Sequence, residues 1–212
     1  MPGLGTAGPG GTLAQWLRNP LVIACLIIVL LLALGEAISP GFATPAQIVR
    51  QLTIAAMLGT VAAGQNMVIL GGREGIDLSV GAMVSLGAVV AGNVMHGDNA
   101  MILPALLATV AATSAIGLIN GLGVTLFRIP PLVMTLGMLG VVQGGLVVIT
   151  KGVPSGDAAP GLIALMTQPV LLGVPGVILL WALVGAAMIL VLRFTRYGHQ
   201  VYAVGSNETA AA

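Results

Sequence analysis

Arg73, Glu74, Asp77 and Ser79 crowd the stretch from Arg73 to Gly81, the one place where charge is packed between two long apolar segments. Carboxylates are costly beside hydrocarbon, so Glu74 and Asp77 either sit at a membrane surface or serve a polar role. Asp77 and Ser79 also stand directly ahead of the apolar run Val80 to Val94. A short oxygen-bearing side chain there satisfies the free N–H groups of a helix start, and the helix dipole favours a carboxylate. Capping alone explains these residue types. The functional alternative sets Asp77 and Ser79 at the edge of a translocation path or against a partner subunit. Gln65, Asn66, Asn120 and Gln143 lie within or near other apolar stretches, where lipid penalises an unpaired amide. They are expected to face protein or a water-filled path, either bonding between helices or lining a conduit.

The elements that must position these groups are membrane helices. Hydrophobic residues make up 58% of the chain, charged residues only 6%, and mean hydropathy is +1.10, whereas a soluble domain needs about 25% charged residues. No Asp, Glu, Lys or Arg occurs from Leu21 to Gly35, Gln51 to Gly72, Asn99 to Phe127, Ile129 to Thr150 or Ala158 to Leu192. Most of these runs reach the roughly 20 residues that cross a bilayer. The 31 Gly and 12 Pro suit a membrane bundle, in which neighbouring helices satisfy backbone groups freed by kinks. A net charge of +1 gives no argument for nucleic acid. The single Cys25 has no partner within the chain and reads as a small packed hydrophobe. No small-residue cleavage pattern follows the first apolar run, so the first helix is expected to be retained.

The expected fold is all-α, a polytopic transmembrane bundle of about six spans. Helices are predicted near Leu21 to Ala37, Ala46 to Leu70, Leu78 to Val94, Ala100 to Phe127, Pro131 to Thr150 and Pro169 to Leu192. Pro20, Pro131 and Pro169 stand at or before starts, where a missing N–H costs nothing. Lys151 to Gln168 reads as a loop of Gly, Pro, Ser and Asp. Cations collect on cytoplasmic loops. With the N-terminus inside, Arg18, Arg73, Arg128, Arg193 and Arg196 are cytoplasmic and only Arg50 and Lys151 are outside. Glu36, His96, Asp98 and Asp157 then face out, while Glu74, Asp77 and Glu208 face in. The chain divides into a cytoplasmic tail (1–19), a transmembrane domain (20–192) and a cytoplasmic segment (193–212), with both termini inside.

Small residues recur every four positions at Gly117 and Gly121, at Gly140 and Gly144, and at Ala55, Gly59 and Ala63, a spacing that lets backbones approach closely. The ten Met and three Phe read as core or lipid-facing filler. From Arg193 the chain is amphipathic and basic at first. It reads as a juxtamembrane segment followed by a short helix capped by Ser206 or Asn207, with Glu208 in its first turn.

Four motifs then appear in order: Gly-Gly-x-x-Gly-Ile-Asp-Leu-Ser-Val-Gly (Gly71 to Gly81), Gly-Leu-Ile-Asn-Gly (Gly117 to Gly121), Arg-Ile-Pro-Pro-x-Val-x-Thr-Leu-Gly (Arg128 to Gly137) and Thr-Arg-Tyr-Gly-x-x-x-Tyr-Ala-Val-Gly-x-Asn (Thr195 to Asn207). Together they resemble the permease subunits of ATP-binding-cassette sugar importers of the ribose, xylose and galactose type. The resemblance implies a multi-pass inner-membrane subunit that receives sugar from an extracytoplasmic binding protein and is driven by a separate ATP-binding cassette subunit. It also implies a second permease copy or paralogue, with lipid around the pair. A coupling helix on the ATPase would include Asn207, Glu208, Ala210 and Ala211. The chain has no Gly-x-x-x-x-Gly-Lys-Ser/Thr phosphate loop, so ATP hydrolysis falls to the partner, and no cofactor or metal is called for. Branched-chain amino acid permeases resemble it less closely because of the Arg-Ile-Pro-Pro stretch.

Family permeases carry further spans beyond the point where this sequence stops, at Ala212 inside the coupling segment. The expectation is a truncated or fragmentary permease, whose alternative is a non-transporting remnant. A secondary transporter would want ionisable groups near mid-membrane, yet every charge here falls at a predicted span end. A passive pore would need repeated filter motifs. An intramembrane enzyme would need a nucleophile and base, whereas His96 and His199 fall in separate loops on opposite sides.

Overall fold

The computed structural model describes residues 18–71, 75–153, 155–171 and 173–206. The chain divides into two compact units, Met1–Leu52 and Thr53–Ala212. In the first, helix α1 (Pro20–Ile38) begins with Pro at its first position, and the Asn19 side chain accepts the Leu21 N–H at 3.0 Å. Both features satisfy a helix start. At its other end the Glu36 carboxylate accepts the N–H groups of Gly41 (3.0 Å) and Ala43 (2.7 Å), closing the turn that leads to the next helix. Gly41 takes φ +95° in that turn, a conformation open to glycine. No residue of α1 is buried within the chain.

Helix α2 (Pro45–Leu70) continues from the first unit into the second. There follow α3 (Val80–Met95), a short 3₁₀ turn (Asn99–Met101), α4 (Ile102–Thr125) and α5 (Pro131–Thr150). Next come α6 (Pro160–Thr167), a small antiparallel hairpin of β1 (Pro169–Leu171) and β2 (Val174–Pro175), α7 (Gly176–Phe194) and α8 (Arg196–Ser206). Among the described residues five helices are long and apolar enough to cross a membrane, and α3, at 16 residues, is apolar but shorter. Large side chains remain exposed along them, such as Val148 at 78% and Leu103 at 65%. Lipid is the natural cover for such surface, since hydrocarbon is as apolar as the side chains it touches.

The centre of the second unit is the up-down packing of α3, α4 and α5. Ala82, Met138 and Val142 are buried together, with Met83, Leu86, Ile116, Met134, Leu139 and Leu146 around them. The segment after α5 folds back over the far end of α3. The Asp157 N–H donates to the Gly92 carbonyl at 3.1 Å and the Gly97 N–H donates to the Asp157 carbonyl at 3.0 Å. Asn93 Nδ2 reaches Ser155 Oγ at 3.0 Å, and Asn99 Oδ1 accepts the Gly161 N–H at 2.8 Å. Met95, Ala105 and Ala159 close beneath this strap. The fit requires glycine: Gly156 has φ +96°, and a Cβ there would overlap the Gly92 backbone.

Several sequence expectations need correction. The predicted span from Pro169 starts only at Gly176, because Pro169–Leu171 and Val174–Pro175 pair as strands with Gly173 at φ +77° between them. The predicted loop from Lys151 to Gln168 contains α6, which starts on Pro160. Of six predicted spans, five have full length among the described residues. The chain is already helical from Arg196 to Ser206 (α8), while the short helix expected after a cap at Ser206 or Asn207, with Glu208 in its first turn, lies outside the described residues. Gly117, Gly121, Gly140 and Gly144 meet nothing within 4 Å where a Cβ would stand. Close approach does occur at Gly59, one of the predicted positions, against Trp181, and also at Gly123 against Met134 and Gly198 against Leu192, which the spacing did not mark.

Candidate functional site

The start of α3 is held by a buried polar knot. Asp77 Oδ1 accepts both the Ser79 N–H (2.8 Å) and the Ser79 hydroxyl (2.6 Å). Ser79 is fully buried, and its oxygen accepts from Asn120 Nδ2 on α4 at 3.1 Å. The hydrogen bonds therefore run one way, from amide to hydroxyl to carboxylate, and each polarises the next. Alongside, the Leu78 N–H donates to Thr135 Oγ1 on α5 at 3.1 Å, while the Thr135 hydroxyl lies 2.9 Å from the Pro131 carbonyl and 3.4 Å from that of Ile76. Non-helical backbone before α3 is thus satisfied by Thr135 of α5 and by Asp77 of the segment itself, which is how irregular backbone is tolerated between membrane helices.

This geometry refines the capping expectation. Ser79 is the N-cap of α3, but its side chain makes no capping bond to the helix. The carboxylate two residues earlier takes the Ser79 N–H instead, and the hydroxyl donates to the same carboxylate while accepting from Asn120. Three of the four sequence motifs, from Gly71 to Gly81, Gly117 to Gly121 and Arg128 to Gly137, meet in this knot. Thr135 was legible only as a letter of its motif; no charge or amide singled it out.

A cleft of about 500 Å³ opens beside the knot between α2, α3 and α4. Gln65, Asp77, Thr60, Thr109 and Thr113 supply its polar lining, with Gly64 and Gly87 among the small residues that leave it open. Gln65 Oε1 and Thr109 Oγ1 are buried without a hydrogen-bond partner, as is Asn120 Oδ1 in the knot. Of the amides predicted from sequence, Asn120 enters the knot and Gln65 the cleft. Asn66 and Gln143 are exposed and belong to neither. Arg73 and Glu74, together with Asn207, Glu208, Ala210 and Ala211, lie outside the described residues.

At the knot's end of the unit, α8 packs back on α7: the Gly198 position closes on Leu192, and Gly205 faces the Leu70 carbonyl at the end of α2. Gly198 and Val201 are buried on one side of α8, while Arg196, His199 and Gln200 are exposed on the other.

A bundle of long apolar helices that buries a polar knot and bears an open cleft edged by a few polar side chains defines a multi-pass membrane protein. The chain belongs to the family described as branched-chain amino acid transport system / permease component, whose profile matches residues 47–212. It is 31% identical over 200 residues to the ribose import permease protein RbsC of Escherichia coli K12, covering 92% of this chain and 60% of that protein. Its identity to the autoinducer 2 import system permease protein LsrC of Yersinia enterocolitica is 32% over 184 residues, 87% of this chain and 50% of the relative. With RbsC of Bacillus subtilis it shares 32% over 184 residues, 86% and 56%. The chain thus spans about half to three-fifths of the length of these curated relatives. No solved structure matches it significantly.

Proposed function

We propose that the chain is a transmembrane permease subunit of an ATP-binding-cassette importer in the inner membrane, forming part of the path for a sugar of the ribose, xylose or galactose kind. The observation that supports this best is the knot: the motifs that resemble sugar-importer permeases converge on one buried hydrogen-bond chain, Asn120 to Ser79 to Asp77. Similarity to two ribose permeases and an autoinducer 2 permease points the same way.

In this reading the knot end is cytoplasmic. Arg128, Arg193 and Arg196 lie on its connections, whereas His96, Asp98 and Asp157 gather under the opposite strap, as the distribution of cations across a membrane favours. The tail 1–19 and the segment 193–212 are then inside, and 20–192 is the membrane domain. Asn207, Glu208, Ala210 and Ala211, directly after α8, contact the ATPase subunit, and an extracytoplasmic binding protein delivers sugar at the strap end. A second permease copy or a paralogue completes the path.

The test is uptake of radiolabelled ribose by vesicles holding the chain with the ATPase and binding protein of a ribose importer. Uptake dependent on ATP and on all three proteins is expected; none in a well-inserted complex overturns the reading. Glu208→Lys should reduce co-purification of the ATPase while leaving membrane insertion unchanged, and undiminished co-purification removes Glu208 from the coupling role.

A further inference from the structure

We propose that the cleft between α2, α3 and α4 is a binding station for a small neutral polyol, contacted by Gln65 and Thr109, and not for the zwitterionic amino acid that the family's name suggests. This inference rests on the permease reading and assigns a substrate class to one place within it.

The argument starts from hydrogen-bond capacity. Gln65 Oε1 and Thr109 Oγ1 are both buried and both unpartnered, and both line the same cleft. Buried polar atoms without partners are costly, the more so between apolar helices. The Thr60 hydroxyl proton is directed to the Ala56 carbonyl at 2.9 Å, and that of Thr113 to the Thr109 carbonyl at 2.8 Å. Their oxygens keep lone pairs but have no proton to offer. Asp77 adds a carboxylate. Gln65 Nε2 and the Thr109 hydroxyl can donate, while Gln65 Oε1 and the Thr60, Thr113 and Asp77 oxygens accept, so the lining offers both halves of the hydrogen bonds that a ligand with several hydroxyl groups makes.

Charge disfavours the competitor. Among the described residues the lining has one carboxylate and no Lys, Arg or His. An α-carboxylate placed among them would be desolvated next to an existing negative charge. A neutral polyol brings no such charge. Size and depth agree: about 500 Å³ lies within the roughly 300–1,000 Å³ usual for small-molecule sites. Thr109 and Thr113 fall along the length of α4 and not at its ends, and midplane stations are the rule in transporters.

The experiment replaces Cys25 by Ser, introduces Thr109→Cys, and measures labelling by a charged, water-soluble thiol reagent in membrane vesicles, with ribose or leucine as competitor. Labelling slowed several-fold by ribose and untouched by leucine is expected. Absence of labelling means that lipid fills the cleft, and labelling indifferent to ribose, or slowed by leucine instead, equally overturns the station. Gly64→Leu gives a second arm, because a Cβ at Gly64 meets nothing within 4 Å and the added side chain can enter the cleft without displacing the helix. It should abolish labelling at position 109 while the protein elutes unchanged from size exclusion, and undiminished labelling counts against the cleft as drawn. Ribose uptake by the unsubstituted chain with its partners separates the two claims: uptake without protection removes the station alone, and protection without uptake removes the permease reading alone.

Discussion

The Asn120 amide lies 3.1 Å from the Ser79 hydroxyl and joins α4 to the start of α3 across 41 residues of sequence. Because Ser79 passes its own proton to Asp77 at 2.6 Å, the pair has a fixed polarity, with Asn120 as donor. This relationship makes the two positions unequal to substitution.

Asn120→Ala should weaken the bundle modestly, by about 0.6 kcal/mol for one interhelical hydrogen bond in a membrane plus a small packing loss. Asn120→Asp should do more harm despite its similar size. Two carboxylates would compete for the single Ser79 proton, and like charges in a buried site repel. Denaturation in detergent by circular dichroism gives the order; Asp as stable as Asn would contradict the assigned direction of the chain.

Asp77→Asn keeps an acceptor oxygen for the Ser79 N–H and hydroxyl, whereas Asp77→Ala removes both bonds. The alanine variant should lose roughly 1 kcal/mol, the cost of a lost helix-start acceptor, and the asparagine variant clearly less. Equal losses would mean that the negative charge, not hydrogen bonding, holds the start of α3.

Gly156 and Gly152 both have positive φ, +96° and +75°, so alanine strains either by about 1–2 kcal/mol. Only at Gly156 does the new Cβ also strike the Gly92 backbone; around Gly152 there is open space. Gly156→Ala should therefore lift the strap from α3 and accelerate thiol labelling at Ser155→Cys. Gly152→Ala should leave that rate unchanged.

Ser155 belongs to the strap and Gln200 to the exposed side of α8, at opposite ends of the unit. In a background with Cys25→Ser, Ser155→Cys should react with an impermeant reagent added outside, and Gln200→Cys only after the membrane is opened. Labelling of both from one side would overturn the proposed orientation.

Helix positions were largely legible because uncharged runs bounded by Arg18, Arg50, Arg73, Arg128 and Arg193 are a strong signal in a chain with few charges. The failures are local. Pro169 read as a helix start, but here it begins a strand that pairs with Val174–Pro175, a tertiary preference that no periodicity records. Gly140 and Gly144 have a packing spacing yet face open space, since spacing says which residues share a face and not what lies against it. In the knot, Asp77, Ser79 and Asn120 stood out as polar letters in apolar text. Thr135 and Thr109 did not, because threonine in a membrane helix usually bonds back to its own carbonyls, as Thr113 and Thr150 do.

The brevity of α3 has a mechanical consequence. Its 16 residues rise only about 24 Å, short of the roughly 30 Å hydrocarbon slab. The bilayer must dimple towards the knot, or α3 must tilt less than its longer neighbours and leave its entry segment shielded by them. Either way the energy of this region depends on acyl-chain length, so lipid thickness becomes a physical control on how firmly Asp77, Ser79 and Asn120 stay engaged.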